Sequence, residues 1–243
     1  MSKTPGRETF GGNRVLVIIP AYNEEATVGG VVLDVKKEMP SADIVVVNDG
    51  SGDLTAAVAR EKGARVLEHP YNMGIGSTMQ TGYRYAIGNG YDIAVQVDAD
   101  GQHPASEIKK LIGPVAEGRA DVAVGSRFLV RGDYRPSFMR GVAIRVLAGI
   151  VSIILRARIT DPTSGFRAAG GNAIEFLSRL YPDDYPEVEA LVLLHKKGFA
   201  VTEIPVRMAG RKGGRSSITA PQSVYYMVKV LLAIVVDLLK RLD

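Results

Sequence analysis

Two aspartates one residue apart, Asp98 and Asp100, directly follow an apolar run at 93–97. Carboxylates so placed suit a hard divalent cation, Mg²⁺ or Mn²⁺, which takes oxygen ligands and keeps positions open for a phosphorylated substrate. A solvated acidic turn is the commoner reading of a bare Asp-x-Asp, and the strand before it and the other motifs reverse that. Pro20-Ala21-Tyr22-Asn23-Glu24-Glu25 ends another apolar run at 15–19, and Asn48-Asp49-Gly50-Ser51-Gly52-Asp53 ends a third at 44–47. An aromatic ring beside carboxylates can hold a heterocyclic base. The plainer reading is a helix start, with Asn23 as cap and the glutamates favouring the dipole, followed by a turn at 48–53.

Three further segments carry polar chemistry. Asn72-Met73-Gly74-Ile75-Gly76-Ser77 opens a helix with two glycines, which allows close approach to phosphate. It lacks the Walker pattern and the full dinucleotide fingerprint, so a structural turn remains an equal reading. Asp161-Pro162-Thr163-Ser164-Gly165-Phe166-Arg167 gathers an acid, hydroxyls and an arginine in one turn. Arg211 and Arg215 bracket a glycine pair, a loop able to fold over phosphate or to remain a solvated surface.

These segments need elements to position them. The runs at 15–19, 44–47, 93–97 and 122–124 read as buried parallel strands, with helices near 25–38, 53–62, 76–88 and 105–117 between them. Alternating strands and helices give an α/β protein with a mostly parallel sheet flanked by helices, whose ligands bind at the strands' carboxyl ends. Beyond 137 the pattern changes to a basic apolar helix at 137–158, helices near 171–180 and 186–197, a strand near 200–206 and a last helix at 221–242. Residues 1–13 are polar and glycine-rich, a flexible tail. The chain then divides into a catalytic domain at 14–220 and an amphipathic C-terminal helix at 221–243.

Composition narrows the classes. With 243 residues and no cysteine, disulfides, thiolate metal sites and a cysteine nucleophile are out, and His69, His103 and His195 lie too far apart in sequence for a histidine-built site. Residues 127–158 carry seven Arg and one Asp, and residues 205–243 carry seven Lys/Arg and two Asp. Both basic blocks contain apolar runs, none of the roughly 18 residues that a spanning helix needs. Basic plus apolar points to a membrane surface, and aromatic residues do not interleave as nucleic-acid binding would ask.

Taken together, PAYNEE (20–25), VNDGSGD (47–53), NMGIGS (72–77), VDADGQH (97–103), VGSRF (124–128), DPTSGFR (161–167), YPEVE (185–189) and EIPVRMAGRKGGRSS (203–217) resemble the family 2 inverting glycosyltransferases of the GT-A fold. Within that family they are most similar to the polyprenyl-phosphate sugar synthases, such as those that make dolichyl-phosphate mannose. The resemblance implies a nucleotide-sugar donor, UDP-linked rather than GDP-linked, and an undecaprenyl-type phosphate acceptor used for cell-envelope glycans. It implies donor contacts at Pro20, Tyr22, Glu24 and Asp49, and metal and donor contacts at Asp98, Asp100 and Gln102. It puts phosphate contacts at Arg127, Arg140, Arg211 and Arg215, with Ser164 at the acceptor and Asp161 ordering it or acting as base. It further implies a cytoplasmic protein, peripheral at the inner face of the membrane, with a small integral membrane protein or a second copy as partner. Asn48 departs from the aspartate common there, and Ile75 from a frequent lysine. Transfer to a glycan hydroxyl and a catalytically silent binding subunit are the alternatives. The first lacks an obvious Glu-Asp base motif, and the intact aspartate pair speaks against the second.

Overall fold

The computed structural model describes residues 10–129, 138–183 and 186–209, together with Lys229, Val230, Leu232, Ala233 and Val236. Seven strands form one sheet: β1 (Val15–Ala21), β2 (Asp43–Asn48), β3 (Arg65–Glu68), β4 (Ile93–Gln96), β5 (Val122–Ser126), β6 (Arg167–Gly170) and β7 (Val201–Pro205). Their spatial order is β3-β2-β1-β4-β6-β5-β7. All neighbours run parallel except β6, which is antiparallel to both β4 and β5.

Every residue of β1 is buried, as a central strand covered on both faces requires. The period-2 alternation of a strand sorts its side chains between two cores. Val15, Val17 and Ile19 meet α1 (Val28–Glu38), α2 (Thr55–Glu61) and α4 (Ile108–Ala116). Leu16 and Ile18 meet α3 (Ile75–Gly88), α5 (Phe138–Leu155), α6 (Gly171–Arg179) and α7 (Pro186–Lys196). The result is three layers, helices on sheet on helices.

The chain runs from β1 through α1 to β2 on one side, while β4 adds on the other side. Neighbouring strands whose connections leave in opposite directions open a crevice at their carboxyl ends. Tyr22–Glu24 and Asp98–Asp100 follow the two strands that flank it.

Two strands lay outside the sequence expectation. β3 is a partly exposed edge strand, and β6 is the short segment Arg-Ala-Ala-Gly. No helix among the described residues is long and apolar enough to cross a membrane. The expected helix at 221–242 and the arginine loop at 211–215 lie outside the described residues, apart from the few positions named above.

Candidate functional site

Two adjoining clefts occupy the crevice and share Pro20, Tyr22 and Ile75. One, of about 260 Å³, is lined also by Asp49, Asn72, Gly74 and Thr78. The other, of about 230 Å³, is lined also by Glu24, Asp98, Asp100 and Glu187. Side by side they reach the size of small-molecule sites, roughly 300–1,000 Å³.

The turn after β1 is locked to the turn after β2. Asn23 has a left-handed backbone, φ 55, a conformation asparagine tolerates better than most residues. Its amide N–H donates to Ser51 Oγ at 2.9 Å, and its side-chain oxygen accepts from Gly52 N at 3.0 Å. Asn23 therefore bridges two turns, and α1 begins later, after Thr27, which corrects the expectation of Asn23 as helix cap. Asn48, the departure from aspartate, accepts from Ser51 N at 3.4 Å, so an amide oxygen does the turn-closing there. Tyr22 is left exposed on the cleft wall.

Asp49 is buried and its carboxylate is well used. Oδ1 accepts from Met73 N at 2.9 Å and meets His69 Nδ1 at 2.7 Å, while Oδ2 accepts from Gly74 N at 2.9 Å. Asp49 thus ties the 72–74 loop to the end of β2 while forming part of the cleft wall.

Asp98 is 39 % exposed and turned to the second cleft. Its backbone N–H donates to His103 Nδ1 at 3.0 Å. That leaves the ring proton on Nε2, which lies 3.6 Å from Asp98 Oδ2. The imidazole is itself stacked on Phe166, centroids 4.6 Å apart. His103 therefore holds Asp98 from below. Distance between the three histidines in sequence hid this role, because the partner is a carboxylate five residues away and not another histidine. Asp100 Oδ1 accepts from Gln102 N at 3.0 Å, and Gln102 O accepts from Ala209 N at 3.0 Å. The backbone of Gln102 thus joins the aspartate turn to Ala209, the last described residue before 211–215.

Among the described residues no group of three or more His, Asp or Glu forms a ready metal cage. The donor set fits a hard cation all the same. Two carboxylates on the lip of one open cleft leave the remaining oxygen positions to phosphate and water, the usual pattern for Mg²⁺.

Glu187, in the first turn of α7, completes the second cleft. Burial pushes its carboxyl above the ordinary range, the charge of Asp98 adds to this, and Arg167 and Arg127 oppose it. In the sequence, YPEVE (185–189) carries only the family resemblance, and nothing in residue type or spacing marks Glu187 as a cleft residue. Arg167, wholly buried, donates from Nη2 to Ser164 O at 2.6 Å and to Glu187 O at 3.1 Å. It joins the 161–167 turn to the start of α7.

The remaining expected contacts fall into two sets. Asp161 is fully buried and grips Arg127 in a fork: Arg127 Nε meets Oδ2 and Nη2 meets Oδ1, both at 2.6 Å. Arg127 N adds a third bond at 3.1 Å, and Nη2 also reaches Thr163 Oγ1 at 2.8 Å. Glu203 of β7 accepts from Thr160 N, Thr160 Oγ1 and Asp161 N at 2.7–2.9 Å. In this arrangement Asp161 serves Arg127, and Ser164 is buried. Neither lines the two clefts described above. Arg140 lies in the first turn of α5 with its side chain outside the described set, as Arg211 and Arg215 are entirely.

Comparison with known proteins agrees with this geometry. The model of "Glycosyl transferase family 2" matches residues 16–175, well over half the chain. Polyprenol monophosphomannose synthase of Mycolicibacterium smegmatis is 31 % identical, over 89 % of this chain and 85 % of that protein. Undecaprenyl-phosphate mannosyltransferase of Micrococcus luteus is 28 % identical, over 85 % of this chain and 88 % of that one. Among solved structures, glucosyl-3-phosphoglycerate synthase of Mycobacterium tuberculosis, in complex with Mn²⁺, UDP and phosphoglyceric acid, superposes with a TM-score of 0.74. It does so at 21 % identity, over 96 % of this chain and 81 % of that one. That likeness shows the fold, which is the GT-A fold.

Proposed function

The chain belongs to glycosyl transferase family 2, and from that premise we propose that it transfers a sugar from a nucleoside diphosphate to a polyprenyl phosphate at a membrane surface. The observation that carries this is the double cleft at the switch between β1 and β4, with Tyr22 and Asp49 in one half and Asp98, Asp100 and Glu187 in the other.

Tyr22, Pro20 and Asp49 would take the base, and the N-terminus of α3 behind Gly74 would favour the diphosphate. Asp98 and Asp100 would hold Mg²⁺ or Mn²⁺, which when bound neutralises charge on the leaving diphosphate. His103 holds the Asp98 backbone and Gln96 donates to its carboxylate, so little reorganisation would remain when the donor binds. A lipid monophosphate is already an oxyanion at neutral pH, so inversion at the anomeric carbon asks for positioning more than for a base. Asp161 is buried and taken up by its fork with Arg127, which supports an acceptor that needs no base from it. The named activities of the two relatives above support it independently. Arg140, Arg211 and Arg215 are proposed as lipid-phosphate contacts, with undecaprenyl phosphate as the acceptor.

One observation favours a second reading, transfer to a hydroxyl. Glu187 faces the cleft with its carboxyl held above the ordinary range, which suits a general base. A panel of radiolabelled UDP- and GDP-sugars with undecaprenyl phosphate and Mg²⁺ or Mn²⁺ separates the two. Label that partitions into organic solvent and is released by mild acid is the expected result. Label confined to a water-soluble glycan would overturn the lipid-phosphate reading.

A further inference from the structure

The end of β3 delivers a histidine that neither the motifs nor the resemblance brings into the site. His69 lies between Asp49 and Thr81 of α3: Nδ1 is 2.7 Å from Asp49 Oδ1 and Nε2 is 2.9 Å from Thr81 Oγ1. The ring and the carboxylate are 9 % and 4 % exposed, so water does not compete for these bonds. The carboxylate accepts, so Nδ1 carries a ring proton, and the threonine hydroxyl, able to donate or accept, completes the second bond at Nε2. The order hydroxyl, imidazole, carboxylate is also that of a nucleophilic triad. Here, however, Asp49 spends its other bonds on the amides of Met73 and Gly74, so the carboxylate is built to anchor a loop.

We propose that His69 is a positioning residue for donor binding. It fixes Asp49 and, through Asp49, the Met73–Gly74 amides and the entry of α3 that wall the nucleotide half of the crevice. This rests on the donor-site reading above. The clamp has little slack on its other side. Gly50, at φ +67, packs so closely that a Cβ there would come within 2.5 Å of the Tyr71 backbone. With one face of the loop wedged by Gly50, the bonds to Asp49 set where its amides point. A buried carboxylate holds that aim only while its acceptor sites are filled.

The test uses side chains that keep one edge of the ring. His69→Asn keeps a donor near Nδ1 and loses the reach to Thr81, while His69→Gln extends toward Thr81 and gives up the Nδ1 geometry. Hydrogen exchange at the Met73 and Gly74 amides of the full chain reads the clamp directly. Titration with UDP, and with GDP, in the presence of Mn²⁺ reads its consequence. His69→Gln and His69→Ala are expected to speed exchange at both amides and to weaken nucleotide binding about tenfold or more, with His69→Asn within about threefold of the unmodified chain. The kcat at saturating donor should change little in all three. Unchanged exchange and unchanged affinity in His69→Gln, or equal losses in His69→Asn and His69→Gln, would overturn the inference. Faster exchange in a chain whose unmodified form binds neither nucleotide would uphold the clamp and overturn its role in donor binding together with the donor-site reading.

Discussion

Asp98 and Asp161 both sit in tight turns, yet one is 39 % exposed and the other 0 %, a difference that fits the proposed cation contact at Asp98 and leaves Asp161 to its buried fork with Arg127. Asp98 and Asp100 line one open cleft, where a bound cation would offset the repulsion between two like charges. Asp100→Asn is expected to lower turnover at least about 100-fold, the scale of one strong transition-state contact, with an unchanged melting temperature; full activity in excess EDTA would contradict the assignment. Asp161 belongs to a buried fork with Arg127, and removing one partner strands the other charge. Arg127→Met should therefore destabilise by about 3–5 kcal/mol in denaturant unfolding. In the double variant Arg127→Met/Asp161→Asn, part of that loss should return. A purely additive cycle would mean that the two do not form one unit. These cases also mark what residue types can reveal. Asp98, Asp100, Tyr22 and Asp49 were legible because each follows an apolar run and so lands at a strand end. His69, His103 and Glu187 were not, because each is a single residue whose partner lies on another element or inside a turn whose shape composition does not fix. Asp161 was legible as important, but its burial was not, since that depends on Glu203 arriving from β7.

The strands β1, β2, β4 and β5 were readable because burial on both faces demands unbroken apolar runs, and their sequences supply them. β6 has a wholly buried arginine at its head and two alanines and a glycine behind it, which gives no strand signal. Only its place between β4 and β5 makes it a strand, and its antiparallel direction follows from that tertiary fit. The turn that feeds β6 is also where an element meets the site. A Cβ on Gly165 would lie 2.7 Å from Gln96 Nε2 and 3.4 Å from Asp98 Oδ1. Gly165→Ala is expected to displace the Asp98 carboxylate, raising the donor and metal concentrations for half-maximal activity while the fold persists; unchanged kinetics would show that the turn has slack. A pH-dependent contribution sits at the start of α2. Burial alone would raise the Asp53 carboxyl, but bonds from the Thr55 hydroxyl and amide and from Glu25 N–H outweigh it, so its value lies below the ordinary 3.8. A lowered carboxyl stabilises the fold above pH 3.8 and loses that contribution as pH falls through its folded value. Asp53→Asn should melt earlier than the unmodified chain at pH 6–8, and the gap should close below about pH 3.8. A gap that stays constant with pH would assign the loss to shape and not to charge.

At the scale of the whole molecule, the acidic cleft and the basic apolar blocks have to be reconciled. One face of α5, with Ile144, Leu147, Val151 and Leu155, is buried in the core. Val142, Val146 and Ile153 lie on the other face, Ile153 being 78 % exposed; the exposed Arg145 shares that face, and the exposed Arg156 follows directly after the last residue of the helix. Near the C-terminus Leu232 is 65 % exposed and Val236 also faces outward. Isolated exposed apolar residues are ordinary, whereas an apolar stripe with arginines beside it, on a helix not long and apolar enough to span, is the pattern of an interfacial element. Arginine stems can lie along acyl chains while their heads meet anionic phosphates. Such docking would let a lipid phosphate reach the crevice without leaving the bilayer, which the proposed acceptor requires. Flotation with vesicles containing anionic lipid is expected to carry the full chain upward. It should carry Val146→Ser/Ile153→Ser less, and a chain ending at Ala220 less again, with the effect weakened by salt because headgroup attraction is screened. Sedimentation of the same proteins without lipid separates the competing explanation. If the substitutions turn a dimer into a monomer and leave flotation unchanged, the stripe joins two copies of the chain and the membrane contact lies elsewhere.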